Sequence, residues 1–415
     1  MMQNERFPIG FWNYRPIEKV TVEDVRAWAD CGMTLTMSPS YIPSPDNRRR
    51  MLELLDECGR LGLRLILCDR RSGWEGASSD PDAYRARFRE ACADFAEHPA
   101  VYGFHVGDEP SRCHMDDVAA ALRIQREEAP SLTPFLNLLP TWGGEYAGYD
   151  NVDACFDDLA ARVPLRLLCY DRYSQMNPED EGTEAYFDDL RRYNALALRI
   201  GVPCWTTLLC VGHFRYRVPS EDDLRWQLST ALASGCQGIL WFMFYLSAPN
   251  SNYRMAPINM FGEKTATYTA LRNVLRQFNA MHADAFRTLT LRECYHVGRA
   301  WGGYRLFSEG CDDAVMRVES LHGVDAIVSF FTGADGKKYL ALTGNSKTES
   351  GQLALTVRKS AGRMVRVGPY AGNPDVQINF HDEGLSDCGD HFVYTPWLAP
   401  GQLNLYRFDP ENEAK

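Results

Sequence analysis

A chain of 415 residues, 45% hydrophobic and 24% charged with a net charge of -11, lacks the basic surface that releases counterions from nucleic acid; a neutral small-molecule substrate fits better. Its thirteen cysteines form no CxxC pair or zinc-spaced cluster, and several (Cys68, Cys92, Cys169, Cys204, Cys236) fall in apolar runs or amphipathic helices, which argues for a reducing compartment. No run approaches the ~18 apolar residues of a membrane span, and the opening MMQNERFPIGFW is not leader-like, so a cytoplasmic protein without a membrane partner is expected.

The predicted elements alternate from the N-terminus to about Arg287. Strands over Ile9–Tyr14, Met33–Ser38, Arg64–Cys68 and Val101–Val106 precede helices over Val22–Cys31, Asn47–Leu61, Asp82–Glu97 and Met115–Glu128 respectively. Strands over Thr133–Leu138, Leu165–Tyr170, Cys204–Leu209 and Gly238–Phe244 precede helices over Val152–Arg162, Glu184–Ile200, Glu221–Ser234 and Thr265–Ala283. Eight such pairs predict a (β/α)8 TIM barrel over residues 1–287, and Gly32, Gly62, Gly201 and Gly235 stand where helices should stop. A doubly wound open sheet is the alternative, disfavoured because no turn carries GxGxxG or GxxxxGK. Beyond Arg287 the runs shorten to a period of two with Asp-Gly turns: Ala326–Phe331, GADGK at 333–337, Tyr339–Thr343, Gln352–Val357, Met364–Val367 and a last strand at Gln402–Phe408. This predicts a C-terminal antiparallel β-sandwich over residues 288–415, packed on the barrel.

Barrel strands deliver their C-terminal ends to one face, where chemistry gathers. The run VYGFHVGDEP, Val101 to Pro110, ends an apolar strand in Asp108, Glu109 and a proline. Both carboxylates are first candidates for catalysis. A helix cap is the other reading of an acid before proline, but the next helix starts nearer His114 to Asp117. The remaining mouths are rich in aromatic, amide and acidic side chains, a mixture suited to a sugar, because aromatic faces stack on C–H faces and polar groups bond hydroxyls. The expected contacts of an oligosaccharide or glycoside are Trp12, Asn13, Asp69, His105, Asn137, Trp142, Tyr170, Tyr173, His213, Trp241 and Tyr245. No cofactor and no metal are called for.

Cleavage of a glycosidic bond needs a proton donor and a second group at the oxocarbenium-like centre, commonly two carboxyls. Glu109 is the expected donor, its pKa raised by burial and by Asp108. Asp108, on the other side of the pleat, orients Glu109 or a substrate group, or belongs to the structure. Asp171, in LLCYDRY, is the best second carboxylate, with an ion pair to neighbouring loops as the competing role. Asp69 and Glu145 are weaker options.

The barrel with GDEP closing strand four resembles the (β/α)8 glycoside hydrolases whose acid/base Glu ends strand four in an NEP or DEP motif. GCQGILWFMFY, GEKTATYTALRNVLRQFNAM and LAPGQLNLYRF are similar to β-galactosidase-like members with accessory β domains. The resemblance implies a retaining glycosidase with Glu109 as acid/base. Those families carry a nucleophilic Glu at the end of strand seven, whereas PCWTTLLCVGHF offers no carboxylate.

Two repairs are open. Asp171 acts as nucleophile or base, or the substrate's own acetamido group does so, as in hexosaminidases, whose Asp-Glu pair Asp108–Glu109 resembles. Tyr170–Asp171 likewise resembles the Tyr-Asp of chitinase-like barrels, and Trp241 their pocket-floor Trp. In that version Asp108 steers the acetamide, Glu109 protonates the leaving group, and Asp171 with Tyr170 holds the intermediate. Two further readings are a catalytically silent carbohydrate-binding barrel and a metal-dependent sugar isomerase or lyase using some of Asp69, His105, Asp108, Glu109 and His213, the latter without HxH or HxxxE spacing.

Overall fold

The computed structural model describes residues 6–141, 145–176, 181–249, 252–368 and 383–409. Eight parallel strands form one sheet: β1 (Ile9–Phe11), β2 (Leu35–Met37), β3 (Arg64–Leu67), β4 (Val101–Asp108), β5 (Thr133–Leu138), β6 (Leu168–Asp171), β7 (Cys204–Leu209) and β8 (Gly238–Phe242). Hydrogen bonding runs in the order β1-β8-β7-β6-β5-β4-β3-β2. The seam between β1 and β2 closes differently. Gly10 there has no room for a side chain, since a Cβ would lie 1.9 Å from the Leu35 carbonyl oxygen. Ile9 and Phe11 donate their amides to the Thr34 and Thr36 hydroxyls, and the Thr34 amide bonds Ile9 O at 2.8 Å. The product is a TIM barrel.

Eight helices follow the strands: α1 (Val22–Cys31), α2 (Pro45–Leu61), α3 (Pro81–Phe95), α4 (Met115–Glu128), α5 (Val152–Arg162), α6 (Thr183–Ile200), α7 (Glu221–Ala233) and α8 (Ala266–Met281), with a short α9 (Ala283–Phe286) after them. Ser44, Asp80, Asn151 and Ser220 cap α2, α3, α5 and α7 by accepting backbone amides, satisfying donors that a helix start leaves free. Gly32, Gly62 and Gly201 end α1, α2 and α6 at positive φ, and Gly235 follows the end of α7 at φ +102°.

Two differences from the expected elements bear on the site. β4 runs two residues further, through Asp108. β6 starts only at Leu168, where its amide reaches Pro203 O; the preceding Arg166 instead donates to Pro130 and Leu132 carbonyls, holding that stretch outside the ladder.

Strands between Thr290 and Asp409 make a six-stranded and a four-stranded sheet. Both contribute to one core that includes Val328, Leu340, Leu355, Tyr394 and Tyr406, which makes this part a β-sandwich. It packs on α7: Trp226 Nε1 donates to Asn345 Oδ1 at 2.9 Å, and Lys347 Nζ lies 4.4 Å from the Trp226 ring centroid while pairing with Glu181 at 2.5 Å. All thirteen cysteines are free thiols. No helix among the described residues is long and apolar enough to cross a membrane.

Candidate active site

Side chains of a strand alternate between faces, and in this barrel the alternation separates what lines the cleft from what packs beneath the helices. Trp12, Cys169, Trp205 and Leu240 belong to the barrel interior, with Phe242 packed against them. Phe11, Leu168, Tyr170, Ile239 and Trp241 belong to the layer between strands and helices. On β6, Asp171 continues the inward series of Cys169. On β5, Asn137 continues that of Phe135.

Asn137 is the centre of the polar site. Buried, it donates from Nδ2 to Asp108 Oδ1 at 3.0 Å and to Asp171 Oδ1 at 3.1 Å, joining carboxylates from β4 and β6. Its position is fixed by pairing with Asp108 on one side and Cys169 on the other. The Glu109 and Asp171 carboxyls hydrogen-bond to one another. Glu109 itself has φ +48° and donates its amide to Asn137 O at 3.0 Å. A left-handed non-glycine residue costs on the order of 1–3 kcal/mol and is held only when its surroundings over-determine it. Here a β-bulge between His105 and Gly107 and the following Pro110 turn the chain out of the sheet.

Asp108 and Glu109 keep solvent access at the rim, yet enough protein surrounds them to shift their titration. Burial raises Asp108 to about 6, with the Glu109 charge adding and the Asn137 hydrogen bond opposing. Burial raises Glu109 as well, against the hydrogen bond from Asp171. Asp171 rises to about 8, by burial first and then by the Glu109 and Asp108 charges. Three acids in one cleft thus retain a proton near neutrality, since like charges so close do not all ionise. Burial raises Glu109 as expected, while the Asp108–Glu109 coupling shows as a rise of Asp108 and the Asp171 hydrogen bond works on Glu109 in the opposite sense.

Aromatic rings surround the acids. Trp12 donates Nε1 to Thr207 Oγ1 at 3.0 Å, and the 48%-exposed Tyr14 stacks on it with centroids 6.0 Å apart. Tyr173 stacks on Phe242 at 5.6 Å, and His213 lies between Tyr216 and Tyr253 at 5.0 and 5.1 Å. Burial and the charges of Asp171, Asp108 and Glu109 all raise the Tyr173 phenol, and Asp108 and Asp171 act likewise on Tyr14, so these rings share the acids' cleft. His105 packs edge-on to Trp12 at 5.6 Å and is held neutral, its pKa lowered by burial to about 4. Burial lowers His213 to about 4 too. Asn13 is buried, with Nδ2 lacking a protein partner. A cavity of about 760 Å³ opens next to this cleft, lined by Tyr41, Asp69, Arg70, His105 and Gly107 among others.

Several expected contacts lie elsewhere. Tyr170 is fully buried on the helix side and stacks on Tyr193 at 3.8 Å, because it alternates with Asp171 and cannot face the same way. Trp241 is turned outward for the same reason, and the inward aromatic of β8 is Phe242. Tyr245 bonds Trp28 Nε1 at 2.5 Å and Asp24 at 3.0 Å, tying the β8 loop to α1. Asp69 lines the neighbouring cavity, but its carboxylate is consumed by Arg71, whose Nε donates to Oδ1 at 3.1 Å and Nη2 to Oδ2 at 2.7 Å. Trp142 lies outside the described residues, and Glu145 is exposed in the loop after β5. Phe242, Tyr253 and Thr207 were missed. Alternation from Leu240 would have found the first; Tyr253, in a long loop, has no such signal. No group of three or more His, Cys, Asp or Glu among the described residues is arranged to hold a metal ion.

No family model matches the chain, and no curated protein matches it. Solved structures do. A protein described as a glycoside hydrolase aligns with a TM-score of 0.56 at 11% identity over 97% of this chain and 92% of its own. A family 39 glycoside hydrolase from Bacteroides cellulosilyticus WH2 aligns with a TM-score of 0.52 at 12% identity over 98% and 81%. A β-galactosidase from Marinomonas ef1 aligns with a TM-score of 0.49 at 13% identity over 66% of this chain, which spans 60% of that protein's length. The first two likenesses cover both parts of the molecule, and at this identity what they share with it is the fold, a TIM barrel followed by a β-sandwich.

Proposed function

We propose that this chain is a glycoside hydrolase in which Glu109 is the general acid/base and the substrate's 2-acetamido group is the nucleophile. The observation that carries this reading is the convergence of Asp108, Glu109 and Asp171 on Asn137 within an aromatic-walled cleft at the strands' C-terminal ends. Glycoside hydrolases of known structure with the same two-part fold add to it. Burial and two neighbouring acids raise Asp171 to about 8, so it resists the ionisation that a nucleophilic carboxylate needs near neutrality. That disfavours Asp171 as nucleophile. β7 and the residues after it, Cys204 to His213, supply no carboxylate.

Glu109 gives its proton to the glycosidic oxygen as the C1–O bond breaks, while the acetamido carbonyl oxygen bonds C1 to form an oxazolinium ring. Asp108 accepts the acetamido N–H and balances the ring's positive charge. Glu109, now a carboxylate, takes a proton from water as that water bonds C1 and opens the ring, so configuration is retained. Glu109 and Asp171 share one proton at the start; Glu109 delivers it to the glycosidic oxygen and regains it from water. Tyr170 has no part in this, and Asn137 takes the positioning role.

A panel of aryl glycosides tests the proposal. Turnover is expected on 2-acetamido-2-deoxy sugars and not on their 2-hydroxy counterparts. Equal turnover on both classes contradicts the acetamido step. A second reading, a carbohydrate-binding barrel without hydrolysis, is favoured by the absence of an acid at the β7 mouth; saccharide binding without turnover of any glycoside would select it.

A further inference from the structure

We propose that Lys347, a residue of the sandwich, is a positioning residue for the active site: it fixes the loop after β6 so that Tyr173 keeps its place in the wall of the cleft. This rests on the hydrolytic reading above and gives the second part of the molecule a share in it. Lys347 lies between the sandwich strands Lys338–Gly344 and Gly351–Arg358.

The acids do not need such help. Asp108 and Asp171 end strands whose register is set by the ladders beside them, and Glu109 is tied to β5 through its amide. Tyr173 lies beyond the end of β6, yet its ring stacks on Phe242 at 5.6 Å and meets Tyr216 edge-on at 5.6 Å. The chain after it turns against backbone preference: Gln175 has φ +68°, and a non-glycine residue is held there only when its surroundings over-determine it. Two contacts do so. Arg217 donates its amide to Gln175 O at 3.0 Å, and the Lys347 ammonium donates to Ser174 Oγ at 3.1 Å.

The lysine is committed to this loop. An ammonium has three donors, and Lys347 directs them to Ser174 Oγ, to Glu181 Oε2 at 2.5 Å and to Thr183 Oγ1 at 3.4 Å, all of them barrel residues between β6 and the start of α6. Its side chain is 9% exposed, and a charge so enclosed is costly unless it is paired and hydrogen-bonded. Glu181 is held in turn by Arg217 at 3.2 Å, and Arg217 by Asp223 Oδ1 at 2.7 Å at the start of α7. Ser174 Oγ donates to Glu181 O at 3.1 Å, which closes the loop on itself beside the ammonium. The sandwich thus supplies the cation round which a barrel loop folds, one residue from a ring of the cleft wall.

Lys347→Met tests the clamp, since it removes the ammonium and keeps an unbranched stem beside Trp226. On 4-nitrophenyl 2-acetamido-2-deoxyglucosides of either anomer its KM should rise about fivefold to tenfold with kcat within about twofold of the parent, because the wall loosens while the acids stay. Arg225→Ala, which breaks a bond to Pro400 O elsewhere in the same interface, should leave KM as it is, whatever either variant does to the melting temperature. In a Tyr173→Ala background Lys347→Met should raise KM no further, since residues that act through one another are not additive. Hydrogen exchange over residues 168–176 should be faster in Lys347→Met than in Arg225→Ala. A parent that hydrolyses neither anomer contradicts the hydrolytic reading, and exchange then still tests the loop's dependence on Lys347. Unchanged KM in Lys347→Met, a KM effect that multiplies with that of Tyr173→Ala, or exchange no faster than in Arg225→Ala overturns the proposal.

Discussion

Asp171 carries the site's pH behaviour. Because burial and two neighbouring acids raise its pKa to about 8, the folded state binds a proton that the unfolded chain releases near pH 4. Stability is therefore full below that range and falls as pH rises toward 8. Asp171→Asn removes the ionisation, so its melting temperature should exceed the parent's by a few degrees at pH 8 and match it near pH 4; an equal difference at both pH values contradicts the assignment. The same variant should move the alkaline limb of activity to lower pH, since a lone Glu109 beside a neutral amide loses its proton earlier than a pair sharing one. Asp108→Asn should lower kcat and also move that limb to lower pH, because the Asp108 charge opposes ionisation of its two acidic neighbours. Asp108, Glu109 and Asp171 were legible in the sequence because apolar runs end on them. Asn137 was legible only as a sugar contact, since its bridging role needs three strand ends in register. Tyr170 and Trp241 were misplaced because location at a strand end was used without the alternation that decides which way each residue faces.

At the scale of elements, five helix or strand spans have the expected bounds, Val22–Cys31, Met115–Glu128, Val152–Arg162, Thr133–Leu138 and Cys204–Leu209. Caps and left-handed glycines marked many of the helix ends locally. Strand ends were less legible, because a ladder stops where its neighbour stops: β1 is three residues long rather than running to Tyr14, and β6 waits for a partner at Leu168. The β1–β2 seam, built from two threonine hydroxyls, has no signature in a single strand. Gly10→Ala tests it. With 1.9 Å between the added Cβ and Leu35 O, the variant should lose stability well beyond the ~1 kcal/mol expected for alanine at the left-handed but unobstructed Gly62. Comparable denaturation midpoints for the two variants would contradict the seam.

The whole molecule joins a barrel, whose last helix ends at Phe286, to a sandwich whose first strand starts at Thr290. That residues 1–287 and 288–415 are two folding units is a proposal. Their contact runs through Trp226, buried between Asn345 and Lys347, with Gly401 so close that a Cβ would lie 2.4 Å from the Trp226 backbone. Large-to-small changes of a buried tryptophan cost about 3–5 kcal/mol. Trp226→Ala should therefore split one calorimetric unfolding transition into two; a single transition of unaltered midpoint contradicts a coupled interface. Alternation of period gave both architectures away in the sequence, whereas the side chains that join them lie far apart along the chain and were not anticipated.

The central claim is that Glu109 delivers a proton to the leaving oxygen. Turnover of Glu109→Ala should fall by about 10²–10⁴-fold on glycosides with poor leaving groups and survive on dinitrophenyl glycosides, which depart unprotonated, with the slow second step restored by added azide. Full activity of Glu109→Ala on a poor leaving group, or an equal loss on every leaving group without rescue by azide, would contradict the account.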